Sequence, residues 1–138
     1  MFGIVDTSQQ PALGFMQVVP SLDAQTSLPI IQAHVALGSV VHSDQWAAYR
    51  NTQGLPNVNA HLTVNHSLHF VDPATGVHTQ NIESYWGRVK HKFKRMKGVS
   101  GKQLPSYLDE FLWRERYGKT ASQAFNSIMD DIATQYPV

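Results

Sequence analysis

The chain contains no cysteine. Disulfide frameworks, cysteine-ligated zinc, iron–sulfur clusters and thiol nucleophiles are excluded together, and cysteine usage reports nothing about the redox compartment. Charge is sparse as well. Asp, Glu, Lys and Arg make up 15% of residues and the formal net charge is +1, which excludes a disordered polyelectrolyte or an acidic solvating tail. No apolar run has the length of a membrane span, and the opening MFGIVDTSQ lacks the basic flank and apolar length of a signal peptide, so an intracellular protein without membrane contact is expected. Internal repeats and low-complexity tracts are absent too. The 138 residues, 42% of them hydrophobic, suffice for one buried core and not for two, so residues 1–138 read as a single domain.

Bases are nearly missing from the first part of the chain. Residues 1–83 hold five acids and one base, Arg50, whereas residues 84–138 hold ten bases and five acids. Seven of those bases (Arg88, Lys90, Lys92, Lys94, Arg95, Lys97, Lys102) fall within fifteen residues. Such a block is either a solvated helix face or an electrostatic footprint for phosphate.

Periodicity divides the chain into an α/β part and a helical part. MFGIVD and LGFMQVV, joined by the turn-like TSQQPA, predict a two-stranded hairpin. Leu28, Ile31 and Val35 then repeat at helical spacing, with Leu37 and Gly38 at the end and Pro29 expected within or near the first turn. SVVHSD (residues 39–44) predicts a short strand ending in an acid, followed by an aromatic turn with Trp46 and Tyr49, and AHLTVN (60–65) predicts another strand. Asp72-Pro73 and Gly76 mark a turn in an irregular stretch.

From about Thr79 the period changes. Ile82, Trp86, Val89, Phe93 and Met96 draw one apolar stripe down a helix, and Glu83, Lys90, Lys94 and Lys97 fall on a second line roughly 100° round from it. Gly98 and Gly101 end this helix. A second carries Leu104, Tyr107, Leu108, Phe111 and Leu112 and is closed by Gly118. A third starts at Thr120 with a Thr120–Gln123 capping box and is expected to bury Phe125, Ile128 and Ile132.

Two carboxylates stand where a scaffold holds side chains rigidly: Asp44 ends a strand and Glu83 opens a helix. Carboxylate oxygens are the ligands that Mg²⁺ and Mn²⁺ prefer, and paired metals serve phosphoryl transfer. By spacing alone the signal is weak, and two ordinary surface charges are the better explanation of the pair. A Ser-His-Asp hydrolase built from His42, Ser43 and Asp44 is excluded, because successive strand residues point apart and no nucleophile elbow is present. His61, His66, His69 and His78 crowd one loop region, but without cysteine or hairpin spacing a structural zinc site is disfavoured. Trp46 and Trp86 are expected to be packing aromatics, with base stacking as the lesser alternative.

Three strings narrow the choice: HSDQWAAY (42–49), VNHSLHFVDPATGVHTQNIESYWGRVKHKFK (64–94) and YLDEFLWRERY (107–117). Together they resemble the insertion-sequence DDE transposases, in the branch called ISXO-two-like, over nearly the whole chain to about residue 117. The resemblance implies an RNase H-like mixed sheet followed by C-terminal helices, and metal-dependent cleavage and transfer of DNA strands using Mg²⁺ or Mn²⁺. It places Asp44 and Glu83 as catalytic metal ligands, with Lys90 seven residues on as a third functional position. It makes Arg88, Lys90, Lys94 and Lys97 candidate DNA contacts, and His66, His78 and Asn81 supports around the acids, Asn81 being the alternative to Glu83. Helix geometry agrees, since a spacing of seven puts Lys90 two turns, about 10 Å, from Glu83 on one face.

The sequence departs from that pattern at its start. The family has three antiparallel strands before the first helix, the first bearing an Asp, whereas only two strands precede the helix here. Met1 therefore aligns with the second strand, Asp6 falls in a turn, and the sheet is expected to be N-terminally truncated and catalytically incomplete alone. The rival reading is a DNA-binding remnant that uses the basic helix 83–97 without catalysis. Self-association is left open, and KHKFKRMK would also serve as a nuclear address in a cell with a nucleus.

Overall fold

A computed structural model describes residues 1–138. Strands β1 (Phe2–Asp6) and β2 (Leu13–Gln17) form the expected antiparallel hairpin, in register from Phe2 opposite Gln17 to Asp6 opposite Leu13. Helix α1 (Ala24–His34) follows, its first turn capped by Asp23, whose carboxylate accepts from the Thr26 amide at 2.8 Å. This cap starts the helix early enough that Pro29 lies in its interior rather than its first turn. The helix also stops at His34, short of Leu37, which is 86% exposed.

Strand β3 (Ser39–Asp44) runs parallel to β4 (Val58–Val64), and its last residue, Asp44, stands opposite Val64. Hydrogen bonding thus yields two separate two-stranded sheets, β1–β2 and β3–β4, instead of the single mixed sheet expected. One edge of β1 and one edge of β3 have no strand partner. The two sheets nevertheless share a core: Phe2 of β1, Ile31 of α1 and Val58 of β4 are buried together, with Ile4 and Val41 packed against them. Two short 3₁₀ turns, Ala47–Tyr49 and Thr52–Gly54, connect β3 to β4.

Helices α2 (Gln80–Arg95), α3 (Leu104–Tyr117) and α4 (Ala121–Gln135) complete the mixed α/β chain. The second core joins Met16 of β2, Tyr85 and Val89 of α2 and Leu108 of α3, with Ile82, Trp86 and Phe93 at its border. Tyr85, off the apolar stripe read from the sequence, is fully buried. It is admitted by Gly14: a Cβ there would lie 2.2 Å from the Tyr85 ring, so the hairpin approaches α2 only because that position carries no side chain.

Met96 and Lys97, counted with α2 from periodicity, lie past its last residue. Met96 caps the helix and Lys97 takes a left-handed φ of 58°. Helix α4 departs further from expectation. It buries no residue, and Phe125, Ile128 and Ile132 are 65%, 48% and 48% exposed. Its amphipathic stripe finds no facing element, and polar links tie it to α3: the Trp113 indole donates to Asp131 at 3.0 Å and the Ser127 hydroxyl to the Tyr117 carbonyl at 2.7 Å.

Candidate functional site

Asp44 occupies the C-terminal end of β3, the end of a parallel pair where loops carry side chains toward a common cleft. Its Oδ1 accepts from the Trp46 amide at 3.1 Å, which fixes the carboxylate, and its Oδ2 accepts no hydrogen bond. Glu83 lies in the first turn of α2. There the Thr79 hydroxyl donates to Glu83 Oε1 at 2.9 Å and is also 2.7 Å from His66 Nε2, while His66 Nε2 and Glu83 Oε1 are 4.0 Å apart. One hydroxyl has one proton. Because the carboxylate can only accept, Thr79 donates to Glu83 and His66 donates to Thr79 through Nε2–H, which sets the His66 tautomer.

This relay ties Glu83 to the sheet. Asp44 stands beside Val64, and the chain continues through Asn65 to His66. With neighbouring strands about 4.8 Å apart and two residues spanning at most about 7 Å, the Cα atoms of Asp44 and His66 lie within roughly 12 Å of each other. Glu83 is thus linked, through Thr79 and His66, to the segment that leaves β4 at the end where Asp44 stands. His66 stands within hydrogen-bond distance of Thr79 and 4.0 Å from Glu83. His78 does not join it visibly: its Nδ1 is buried without a hydrogen-bond partner. Asn81 is exposed in the first turn of α2.

The bases of α2 divide into two sets. Arg88, though half exposed, is engaged within the protein's own surface by an ion pair with Glu115 at 3.2 Å, a hydrogen bond to the Ala12 carbonyl at 3.5 Å and a position 4.8 Å over the Tyr85 ring. Lys92 pairs with Glu110 at 3.5 Å and lies above Phe111. Lys90, Lys94 and Arg95 are exposed and make no ion pair, and Lys97 is exposed beyond the helix end. These cationic groups are available to an anionic partner.

No three His, Asp or Glu side chains gather closely enough to hold a metal ion by themselves. The two acids offer hard oxygen donors with one free oxygen each. That suits Mg²⁺, which commonly takes one or two carboxylates and fills its remaining positions with water and substrate phosphate oxygens.

Three features escaped the sequence reading. Arg50 lines an open cavity of about 300 Å³ together with Asp44, Trp46, Tyr49, His61 and Thr63. Its signal was available, since it is the only base in the first 83 residues. Beside the cavity, Ser43 Oγ and His61 Nε2 are 2.8 Å apart, and burial, with a smaller repulsion from His42, pushes the His61 pKa down. Glu115, read only as part of a motif string, is nearly buried and accepts from the Tyr85 hydroxyl.

The model of the ISXO2-like transposase domain family matches residues 1–116, through the hairpin, both β3 and β4, α2 and nearly all of α3. The chain belongs to this family. An "Uncharacterized transposase-like protein" of Haemophilus influenzae is 29% identical over 108 residues, covering 77% of this chain and 83% of that protein. No solved structure matches the chain significantly. As a member of a transposase family the domain is linked to transposition, and DNA is the partner that the family suggests. Helix α4 lies outside the matched residues. None of the helices is long and apolar enough to cross a membrane.

Proposed function

We propose that this transposase domain is of the DDE type and serves metal-dependent cleavage and transfer of DNA strands, with an RNase H-like fold as its framework. The observation that supports the reading is that Asp44 ends β3 while Glu83, through Thr79 and His66, is linked to the segment that follows β4, with the unpaired Lys90 and Lys94 further along α2. On this reading Asp44 and Glu83 hold Mg²⁺ or Mn²⁺ through their free oxygens. When bound, the metal supplies charge neutralisation at the scissile phosphate and acidifies a water or hydroxyl nucleophile. The chain's own residues do the rest. The Trp46 amide fixes Asp44, His66 and Thr79 orient Glu83, and Lys90 and Lys94 grip phosphates along the duplex as sequence-independent point charges.

An RNase H-like sheet would have a strand between β1 and β3, and its acid would complete the ligand set. The unpartnered edges of β1 and β3 around a shared core agree with such a gap. The 138-residue chain alone is therefore expected to nick supercoiled DNA little or not at all with Mg²⁺ or Mn²⁺ present. Robust metal-dependent nicking that Asp44→Asn abolishes would overturn the incompleteness and uphold the metal site. A non-enzymatic DNA-binding module is the second reading, favoured by the lack of any three-donor cluster. Salt-dependent duplex binding that survives Asp44→Ala, with no cutting even after a strand bearing an Asp is fused ahead of Met1, decides for it.

A further inference from the structure

We propose that the cavity beside Asp44 receives one nucleotide of DNA displaced from its stack, its phosphate on Arg50 and its base against Trp46. The inference rests on the DNA-processing reading and adds a subsite to it. At about 300 Å³ the cavity is at the small end of ligand sites, too small for a duplex and of the right order for a single nucleotide. Its chemistry is that of a nucleotide site. Arg50 makes no ion pair and no side-chain hydrogen bond, so its guanidinium is free for a phosphate, which it can grip in a bidentate fork. Trp46 is 56% exposed, yet its ring is fixed, because Nε1 donates to the Leu22 carbonyl at 3.0 Å. A fixed, exposed indole face is a stacking platform that accepts any base. Thr63 adds a hydroxyl to the cavity wall.

Position gives the subsite its use. The Trp46 amide holds Asp44, so a nucleotide stacked on Trp46 lies next to the acid assigned to the scissile phosphate. Opening the duplex there would present the backbone to Asp44 in a single-stranded conformation. Unstacking costs least at a nicked or frayed end, so the subsite favours such ends over continuous duplex.

The test uses the full chain in EDTA with a seven-nucleotide single strand carrying a 5′-phosphate, and a blunt duplex as comparison. The single strand is expected to quench tryptophan emission, and Trp46→Phe should remove that quenching while largely preserving affinity, because a ring remains. Trp46→Ala and Arg50→Gln should each weaken single-strand binding about tenfold. Arg50→Gln removes no contact within the fold, so its result stands even if Trp46→Ala melts early. Lys90→Gln with Lys94→Gln should weaken duplex binding and leave the quenching intact, so failure of the subsite and failure of the wider DNA reading are distinguishable. Wild-type affinity of Arg50→Gln for the single strand overturns the proposal. So does equal competition by free deoxynucleoside monophosphate, which would make the cavity a site for small nucleotides rather than for DNA.

Discussion

Tyr85 donates its hydroxyl hydrogen to Glu115 at 2.5 Å, a contact between α2 and α3 that also reaches the hairpin. Glu115 accepts from the Gly14 amide at 3.4 Å and pairs with Arg88, and the neighbouring Arg116 donates to the Gly14 carbonyl at 2.8 Å. Burial, the hydrogen bond to Glu115 and its negative charge all push the Tyr85 pKa upward, so the phenol stays protonated and remains a donor. The basic helix is thereby clamped to both of its neighbours.

Removing the donor tests the clamp. Tyr85→Phe keeps the ring in the core but leaves the Glu115 carboxylate one partner short. A hydrogen bond to a charged group contributes about 1.5–3 kcal/mol, so a loss of about 2 kcal/mol in urea unfolding is expected. A change below about 0.5 kcal/mol would show that the contact contributes nothing net.

Two glycines should respond in opposite directions. Gly14→Ala drives a methyl into the Tyr85 ring and should destabilise by about 2–3 kcal/mol. Paired with Tyr85→Ala it should cost clearly less than the sum of the single changes, because the clash is gone. Gly87 lies in the middle of α2, where an added Cβ meets nothing within 4 Å, so Gly87→Ala should stabilise by about 0.5–1 kcal/mol. Thermal melts of the three variants and the double check both signs.

Acid sensitivity has a localised cause near the candidate site. Burial, then His42, lowers the His61 pKa in the folded state, so the unfolded chain binds the proton more readily. Stability from this group is present above the unfolded value of about 6.5 and is lost as pH falls from there through the lower folded pKa. The Asp6, Asp23, Asp72 and Glu110 carboxylates are held low by hydrogen bonds, and their contributions fade only at more acidic pH. Wild type should therefore lose stability as pH falls below about 6.5, while His61→Gln should show a flatter profile there. Parallel profiles would remove His61 as the cause.

The hairpin, β3, β4 and the starts of α2 and α3 were legible because local signals agree with packing there: alternation in the strands, and a 3.6-residue stripe through Ile82, Trp86 and Val89. Asp44 and Glu83 were legible as strand-end and helix-start acids. Tyr85 was missed because what admits it is a glycine far away in sequence, and no local pattern reports such a contact. Phe125, Ile128 and Ile132 misled for the converse reason. An apolar stripe states what a helix can bury and not whether a partner is present. The division of the strands into two sheets depends on pairing, which strand propensity leaves open, and the engagement of Arg88 is not legible because its partner Glu115 is 27 positions away.

The division of bases on α2 gives the sharpest test of how this domain meets DNA. Lys90 and Lys94 are free, whereas Arg88 and Lys92 are engaged by Glu115 and Glu110. Each ammonium that neutralises a phosphate releases counterions worth about 0.9 in the slope of log K against log salt. Lys90→Gln with Lys94→Gln should therefore lower that slope by about two in duplex titrations between 50 and 200 mM salt, with little change in melting temperature. Arg88→Gln should do the reverse. It uncovers the nearly buried Glu115 and should lower stability by about 1–3 kcal/mol while leaving the slope close to wild type. If Arg88→Gln lowers the slope as much as a lysine substitution does, its pairing with Glu115 gives way to phosphate in the complex and the internal role assigned to Arg88 is wrong.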